Sequence, residues 1–111
     1  MEIINESAPS SETQISIPVG VAYGSDLSDV EETLMAVAQR NEFVVPGRAP
    51  SVRFVEFGDS SLQFELLVWM VRPNIKRTAV SQINQAIYRE FQKKDIEMPF
   101  PQRDIHIRTD K

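Results

Sequence analysis

The chain has 111 residues, 41% of them hydrophobic and 25% charged, a length and balance that fit one domain with a real core and exclude a disordered or low-complexity chain. It contains no cysteine, which removes a disulfide framework, a thiolate metal site and a cysteine nucleophile. A formal net charge of -4 argues against a grip on a phosphate backbone or an anionic bilayer, since either needs a basic face, and nucleic acid is not an expected partner.

The N-terminal residues Met1 to Glu6 lack the basic and apolar regions of a signal peptide, and Asn5 to Glu12 is polar and Ser-rich, so residues 1–12 read as a flexible lead-in. From Thr13 to Tyr23 the chain alternates, with Thr13, Ile15, Ile17, Val19, Val21 and Tyr23 on one face. A period of two predicts a strand, and Pro18, which cannot donate a ladder hydrogen bond, puts it at an edge or a bulge. Gly24-Ser25-Asp26 breaks that strand, and Leu27, Val30, Leu34 and Val37 then recur at helical spacing. The spacing predicts a helix from about Asp26 to Arg40, with acids in its first turns and Arg40 at its end complementing the dipole, and with Asp26 or Ser28 as N-cap.

After a Pro- and Gly-containing loop (residues 45–50), Val52 to Phe57 and Leu62 to Val71 read as two strands joined as a hairpin by Gly58-Asp59-Ser60-Ser61. Leu66 to Val71 is the longest apolar run, far short of the roughly 20 residues of a spanning helix. A second helix is expected over Ile75 to Lys94, with Val80, Ile83, Ile87 and Phe91 as its buried stripe. Ile96-Glu97-Met98 reads as a short edge strand closed by Pro99-Phe100-Pro101, and residues 104–108 alternate once more. The order strand, helix, strand, strand, helix, strand is that of an α+β, ferredoxin-like split βαβ sandwich (βαββαβ), with a short C-terminal tail strand left over. The expected ordered domain is residues 13–99, and the tail residues 100–111.

Nothing in the chain assembles a reaction. His106 is the single histidine, so a multi-histidine zinc site is excluded, and on an alternating tail it reads as a solvent-facing strand residue. Asp26 and Asp29 read as capping acids, and Gly20, Gly24 and Gly58 as turn residues, because they lack phosphate-loop spacing. Neither strand carries the aromatic and basic signature of an RNA-binding sheet. No catalytic residue, cofactor or metal is expected. What stands out is an apolar surplus on the strand that lies mid-sheet. Leu62, Phe64, Leu66, Val68 and Met70 form one face for the helices, yet Leu67, Trp69 and Val71 make the other apolar as well, a pattern that marks a protein–protein contact, unless a loop or the lead-in folds over Trp69 or the two faces are reversed.

Three segments, Ile17-Pro18-Val19-Gly20-Val21-Ala22-Tyr23-Gly24-Ser25-Asp26, Phe54-Val55-Glu56-Phe57-Gly58-Asp59-Ser60-Ser61-Leu62 and Met98-Pro99-Phe100-Pro101-Gln102-Arg103-Asp104-Ile105-His106, resemble in order and spacing the cytoplasmic C-terminal domain of the small-conductance mechanosensitive channel (MscS) family. Glu2-Ile3-Ile4-Asn5 is similar to the end of that family's preceding β-domain, which implies that the pore helices lie upstream and that contact with the bilayer is made only by those absent helices. The resemblance implies a non-enzymatic role in a homo-oligomer of seven subunits at the cell inner membrane. There this domain forms a cytoplasmic cage beneath a tension-gated pore, with side portals and a parallel barrel at the base. It further implies that Glu56 lines a portal or the cage interior, that Leu67, Trp69 and Val71 meet a neighbouring subunit, and that Asp104, Ile105, His106, Ile107 and Arg108 supply the barrel strand. Ser16 stands where some members carry a second acid. Asp95 replaces a glycine that often follows the second helix, and is expected to accept a left-handed C-cap. The rival from another class is a free-standing regulatory module that dimerises through its sheet and binds a small metabolite; apolar stretches of about 20 residues upstream would separate the two.

Overall fold

The computed structural model describes residues 12–70 and 73–99. Strands β1 (Thr13–Val21), β2 (Ser51–Phe57) and β3 (Leu62–Met70) form an antiparallel sheet in the order β1-β3-β2, and helices α1 (Leu27–Arg40) and α2 (Lys76–Lys93) cover one of its faces. The alternation read in the sequence determines which face that is. Ile15, Ile17, Val19 and Val21 of β1 and Leu62, Phe64, Leu66, Val68 and Met70 of β3 are buried in one cluster with Val30, Leu34, Val37 and Ala38 of α1 and Ala79, Ile83, Ile87 and Phe91 of α2. Val80, expected in the buried stripe, is only partly buried, and Ala79 takes the inner position instead; Leu27 is exposed.

The helix ends follow local chemistry. Of the two N-cap candidates it is Asp26 that acts, its carboxylate accepting the Asp29 N–H at 3.0 Å. Thr33, buried in the core, stays satisfied by donating its hydroxyl to the Asp29 carbonyl at 2.7 Å. A short 3₁₀ turn, Pro73–Ile75, leads into α2. At the far end Asp95 has φ 58°, and the Ile96 N–H reaches back to the Phe91 carbonyl at 2.8 Å while the Asp95 N–H bonds Gln92 at 3.3 Å. That is the paired hydrogen-bond pattern of a Schellman cap, completed by burial of both Ile96 and Phe91.

The cap also decides the path of the next segment. Ile96 to Met98, expected as an edge strand, is not a regular strand; among the described residues it makes one ladder-like bond just past the end of β1, from the Ala22 N–H to the Glu97 carbonyl at 2.8 Å. Ile96 is turned into the core by the cap and Pro99 has no N–H, so little backbone is left to zip. The described sheet therefore has three strands. β1 also ends at Val21, two residues before the expected Tyr23, because the Ala22 carbonyl already accepts the Ser25 N–H and hydroxyl and Gly24, at φ 96°, turns the chain. The Ala22 bond also reveals the parity of β1: even-numbered residues direct their backbone groups away from β3. Pro18 is one of them, so its missing N–H costs no bond within the sheet. Among the described residues no helix is long and apolar enough to cross a membrane.

Candidate functional site

The sheet face opposite the helices carries Glu56, Ser16, Leu67 and Trp69 from among the residues singled out in the sequence. On β3 it presents Gln63, Glu65, Leu67 and Trp69, all half-buried. β1 sets Gly20, Pro18, Ser16 and Gln14 directly across from these four, and β2 sets Glu56, Arg53 and Ser51 across from Gln63, Glu65 and Leu67.

Glu56 reaches this face because β2 is irregular. Phe54 pairs with Phe64 on the helix side, but the register shifts before Glu56, which pairs with Gln63. Without that bulge the alternation from Val52 and Phe54 would carry Glu56 to the helix side. The extra residue, Val55, re-aims it to the open face. It also moves Phe57 opposite Leu62, where it is 73% exposed and packs edge-on to Phe54 at 5.1 Å. The signal was present in the sequence: the apolar positions Val52, Phe54 and Phe57 change parity between the last two.

Glu65 is the acid that sequence reasoning missed. The Ser16 hydroxyl donates to its carboxylate, and the Arg53 guanidinium lies 3.6 Å away on β2. Ser16 thus partners an acid on the neighbouring strand. The alternation could have flagged Glu65, which shares its parity with Leu67 and Trp69. Arg53 required the hairpin register.

Trp69 is covered from within the chain. The Arg48 guanidinium lies over its ring, 3.8 Å from the centroid, and Arg48 also bonds Glu12 at 3.2 Å. Within the chain, the loop before β2 thus sets Arg48 over the tryptophan, which like Leu67 beside it stays half-buried. Nothing local in the sequence places Arg48 there, since it lies in a Pro- and Gly-containing loop. Val71 and the strand expected over Asp104, Ile105, His106, Ile107 and Arg108 lie outside the described residues.

The other candidates have structural roles. Asp26 and Asp29 belong to the α1 cap, and Gly58 closes the hairpin turn, its N–H bonded to the Ser61 carbonyl at 2.8 Å. An added Cβ at Gly58 would stand 2.9 Å from that same carbonyl oxygen, so the turn admits only glycine comfortably. The Tyr23 hydroxyl donates to the Gly58 carbonyl at 2.5 Å, tying the β1 exit to this turn. A cleft beside it is lined by Pro18, Gly20, Ser61, Gln63 and Met98, and among the described residues Asp59 is its only titratable group. Among the described residues no group of three or more His, Cys, Asp or Glu is placed to hold a metal ion.

Comparison with known proteins places this geometry. Residues 15–98 match the family model described as mechanosensitive ion channel MscS, C-terminal. An uncharacterized MscS family protein of Synechocystis is 34% identical over 96 residues, covering 86% of this chain and 32% of that protein. The mechanosensitive channel MscK of Escherichia coli is 32% identical over 109 residues, covering 98% of this chain and 10% of its own length. Among solved structures, the crystal structure of Helicobacter pylori MscS in its closed state superposes with a TM-score of 0.65 at 28% identity, over 80% of this chain and 35% of that one. The chain thus spans about a third or less of the length of these relatives.

Proposed function

The chain belongs to the MscS family of mechanosensitive ion channels, as its C-terminal domain, and on that premise we propose that it is the cytoplasmic cage of a tension-gated channel that releases ions and osmolytes on hypo-osmotic shock. The observation that carries this reading is the extent of the family match: residues 15–98 take in both helices and nearly all of the sheet. The match is to the fold as a whole and does not rest on a short motif.

In this reading the domain is a ferredoxin-like split βαβ sandwich whose fourth lane is entered by the segment after α2 only at the C-terminal end of β1, in keeping with the Ala22–Glu97 bond. The protein that carries it sits in the cell inner membrane with this domain on the cytoplasmic side, and seven copies form the cage. Residues 1–12 lead in from the preceding β-domain, 13–99 form the cage wall, and 100–111 leave it, with Asp104 to Arg108 closing a barrel of identical strands that removes every edge. Leu67, Trp69 and Val71 lie toward a neighbouring subunit, with Arg48 forming the outer layer over Trp69.

Glu56 lines a portal. Its exposure, and the bulge that turns it to the open face, support that role. Carboxylates repeated around a portal raise the local cation concentration and repel anions, an effect that fades as the Debye length contracts from about 10 Å at 0.1 M salt to about 3 Å at 1 M.

The test uses the full-length channel in a host lacking its own mechanosensitive channels. Survival of a sudden drop in osmolarity is expected with the parent channel, and in patch recordings Glu56→Gln should shift selectivity toward anions, more at low salt. Failure of the intact channel to gate under membrane tension refutes the channel reading. Unchanged selectivity of Glu56→Gln at low salt refutes the portal role alone. Deleting residues 104–111 should weaken subunit assembly, and assembly equal to the parent's would refute the barrel.

A further inference from the structure

Three segments remote in sequence meet at one end of β3. Met70 pairs with Thr13 of β1 on one side and bridges to Val44 on the other, and the Val45 N–H donates to the Trp69 carbonyl at 2.8 Å. Gln14 lies directly across from Trp69. The Arg48 N–H bonds the Val45 carbonyl at 3.2 Å, so the loop doubles back and brings the Arg48 side chain over the Trp69 ring.

We infer that Arg48 is the pin of a clasp that ties Glu12, immediately ahead of β1, and the 41–50 loop to the face of Trp69, so that a displacement of the chain ahead of β1 passes to the loop and to the central strand together. The chemistry of the guanidinium makes this possible. It is planar, so one side chain offers its flat face to the indole, 3.8 Å from the ring centroid, and its Nε–H edge to the Glu12 carboxylate, 3.2 Å away. A lysine ammonium is a compact point charge and cannot present a face and an edge at once.

The two arms respond differently to the medium. The Glu12 and Arg48 side chains are 35% and 45% exposed, so salt screens their ion pair, whereas the stack on the half-buried ring is screened less. The clasp is therefore graded. Raising ionic strength releases Glu12 first and leaves the loop seated on Trp69 more loosely, without unfolding the sheet beneath.

Backbone hydrogen exchange on the whole 111-residue chain tests this, with Glu12→Gln breaking one arm, Arg48→Lys weakening the other, and Arg89→Gln on α2 as a charge control. Exposed ion pairs and cation–π contacts of this strength predict a rise of about two- to five-fold in exchange of the Val45 and Arg48 amides in Glu12→Gln, although Glu12 touches neither amide's acceptor. Arg48→Lys should in turn speed exchange at the start of β1, and about 0.5 M salt should bring the parent toward the Glu12→Gln profile. Arg89→Gln should change neither region. If Glu12→Gln quickens exchange only next to itself and leaves the loop amides at the parent's rate, the two ends are not coupled and the inference fails. If Arg48→Lys leaves both regions unchanged, Arg48 is not the pin.

Discussion

Asp95 holds a backbone conformation that a residue with a Cβ adopts only at a cost, and the structure shows why the chain accepts it. Its φ of 58° is what allows the Ile96 N–H to reach Phe91 and lets Ile96 enter the core beside it. A left-handed residue other than glycine costs about 1–2 kcal/mol, and aspartate falls at the low end of that range. Glycine relieves this strain but loses about 0.5–1 kcal/mol of extra chain entropy on folding. The balance for Asp95→Gly is a gain of up to about 0.5 kcal/mol, or a rise of at most about 2–4 °C in melting temperature for a domain of this size. Asp95→Ala has the Cβ without the polar side chain's tolerance of this region, and should lose about 1 kcal/mol. Urea and thermal unfolding of the three proteins, with unchanged m-values as the check on two-state behaviour, should rank them Gly, Asp, Ala. If Asp95→Ala matches or exceeds Asp95→Gly in stability, the strain is not located at this residue.

Other perturbations test burial, turn geometry and charge. Leu66 is fully buried at the centre of the sheet while Trp69 on the same strand is half-buried, so Leu66→Ala should cost about 2–5 kcal/mol in urea unfolding and Trp69→Ala less, despite its larger side chain; the reverse order would mean that the open face is the better-packed one. Gly58→Ala should destabilise by about 1–3 kcal/mol, because its Cβ meets a carbonyl oxygen at 2.9 Å, whereas Gly20→Ala meets the movable Ser61 hydroxyl at 3.1 Å and should cost less in the same assay. The Glu90 carboxyl is held below the usual carboxylate range, first by its hydrogen bond from Lys93 and further by the charges of Lys93, Arg40 and Lys94 against an opposing desolvation. Its stabilising contribution is therefore present above the unfolded carboxylate's pKa and is lost as pH falls through the lower folded value. Glu90→Gln should flatten the fall of stability in that acid window, and an unchanged slope would remove Glu90 from the account.

The sequence was most legible where one residue decides one outcome. The strict alternation of Ile15, Ile17, Val19 and Val21 specifies the buried face of β1, and Pro18 specifies its edge position. The left-handed cap was legible at Asp95, from a resemblance that expects glycine there. Features that depend on register or on distant loops were harder to read. Glu56 reaches the open face only through a bulge that shifts its strand by one residue, and Arg48 covers Trp69 only because a loop bends back from between α1 and β2. The expected fourth strand shows the same limit. Ile96 and Met98 alternate as a strand should, but the cap before them and Pro99 after them use up the backbone that pairing requires.

The position of Pro18 bears on how copies of this chain behave at high concentration. Among the described residues the outward edge of β1 carries donors at Gln14, Ser16 and Gly20, with a gap at Pro18 between them. A foreign strand approaching that edge finds at most two adjacent donors before the row is interrupted, which is too few to template the long zipper that aggregation needs. The surrounding sequence, Ile15 to Val21, is otherwise rich in β-branched residues and uncharged, the composition such zippers favour. Because that proline gives up no hydrogen bond inside the fold, replacing it with valine would leave the melting temperature nearly unchanged while lowering the concentration at which the protein stays in solution. Thermodynamic stability and colloidal stability are thus controlled from opposite sides of one strand, and a screen that reads only the first would pass a variant that fails the second.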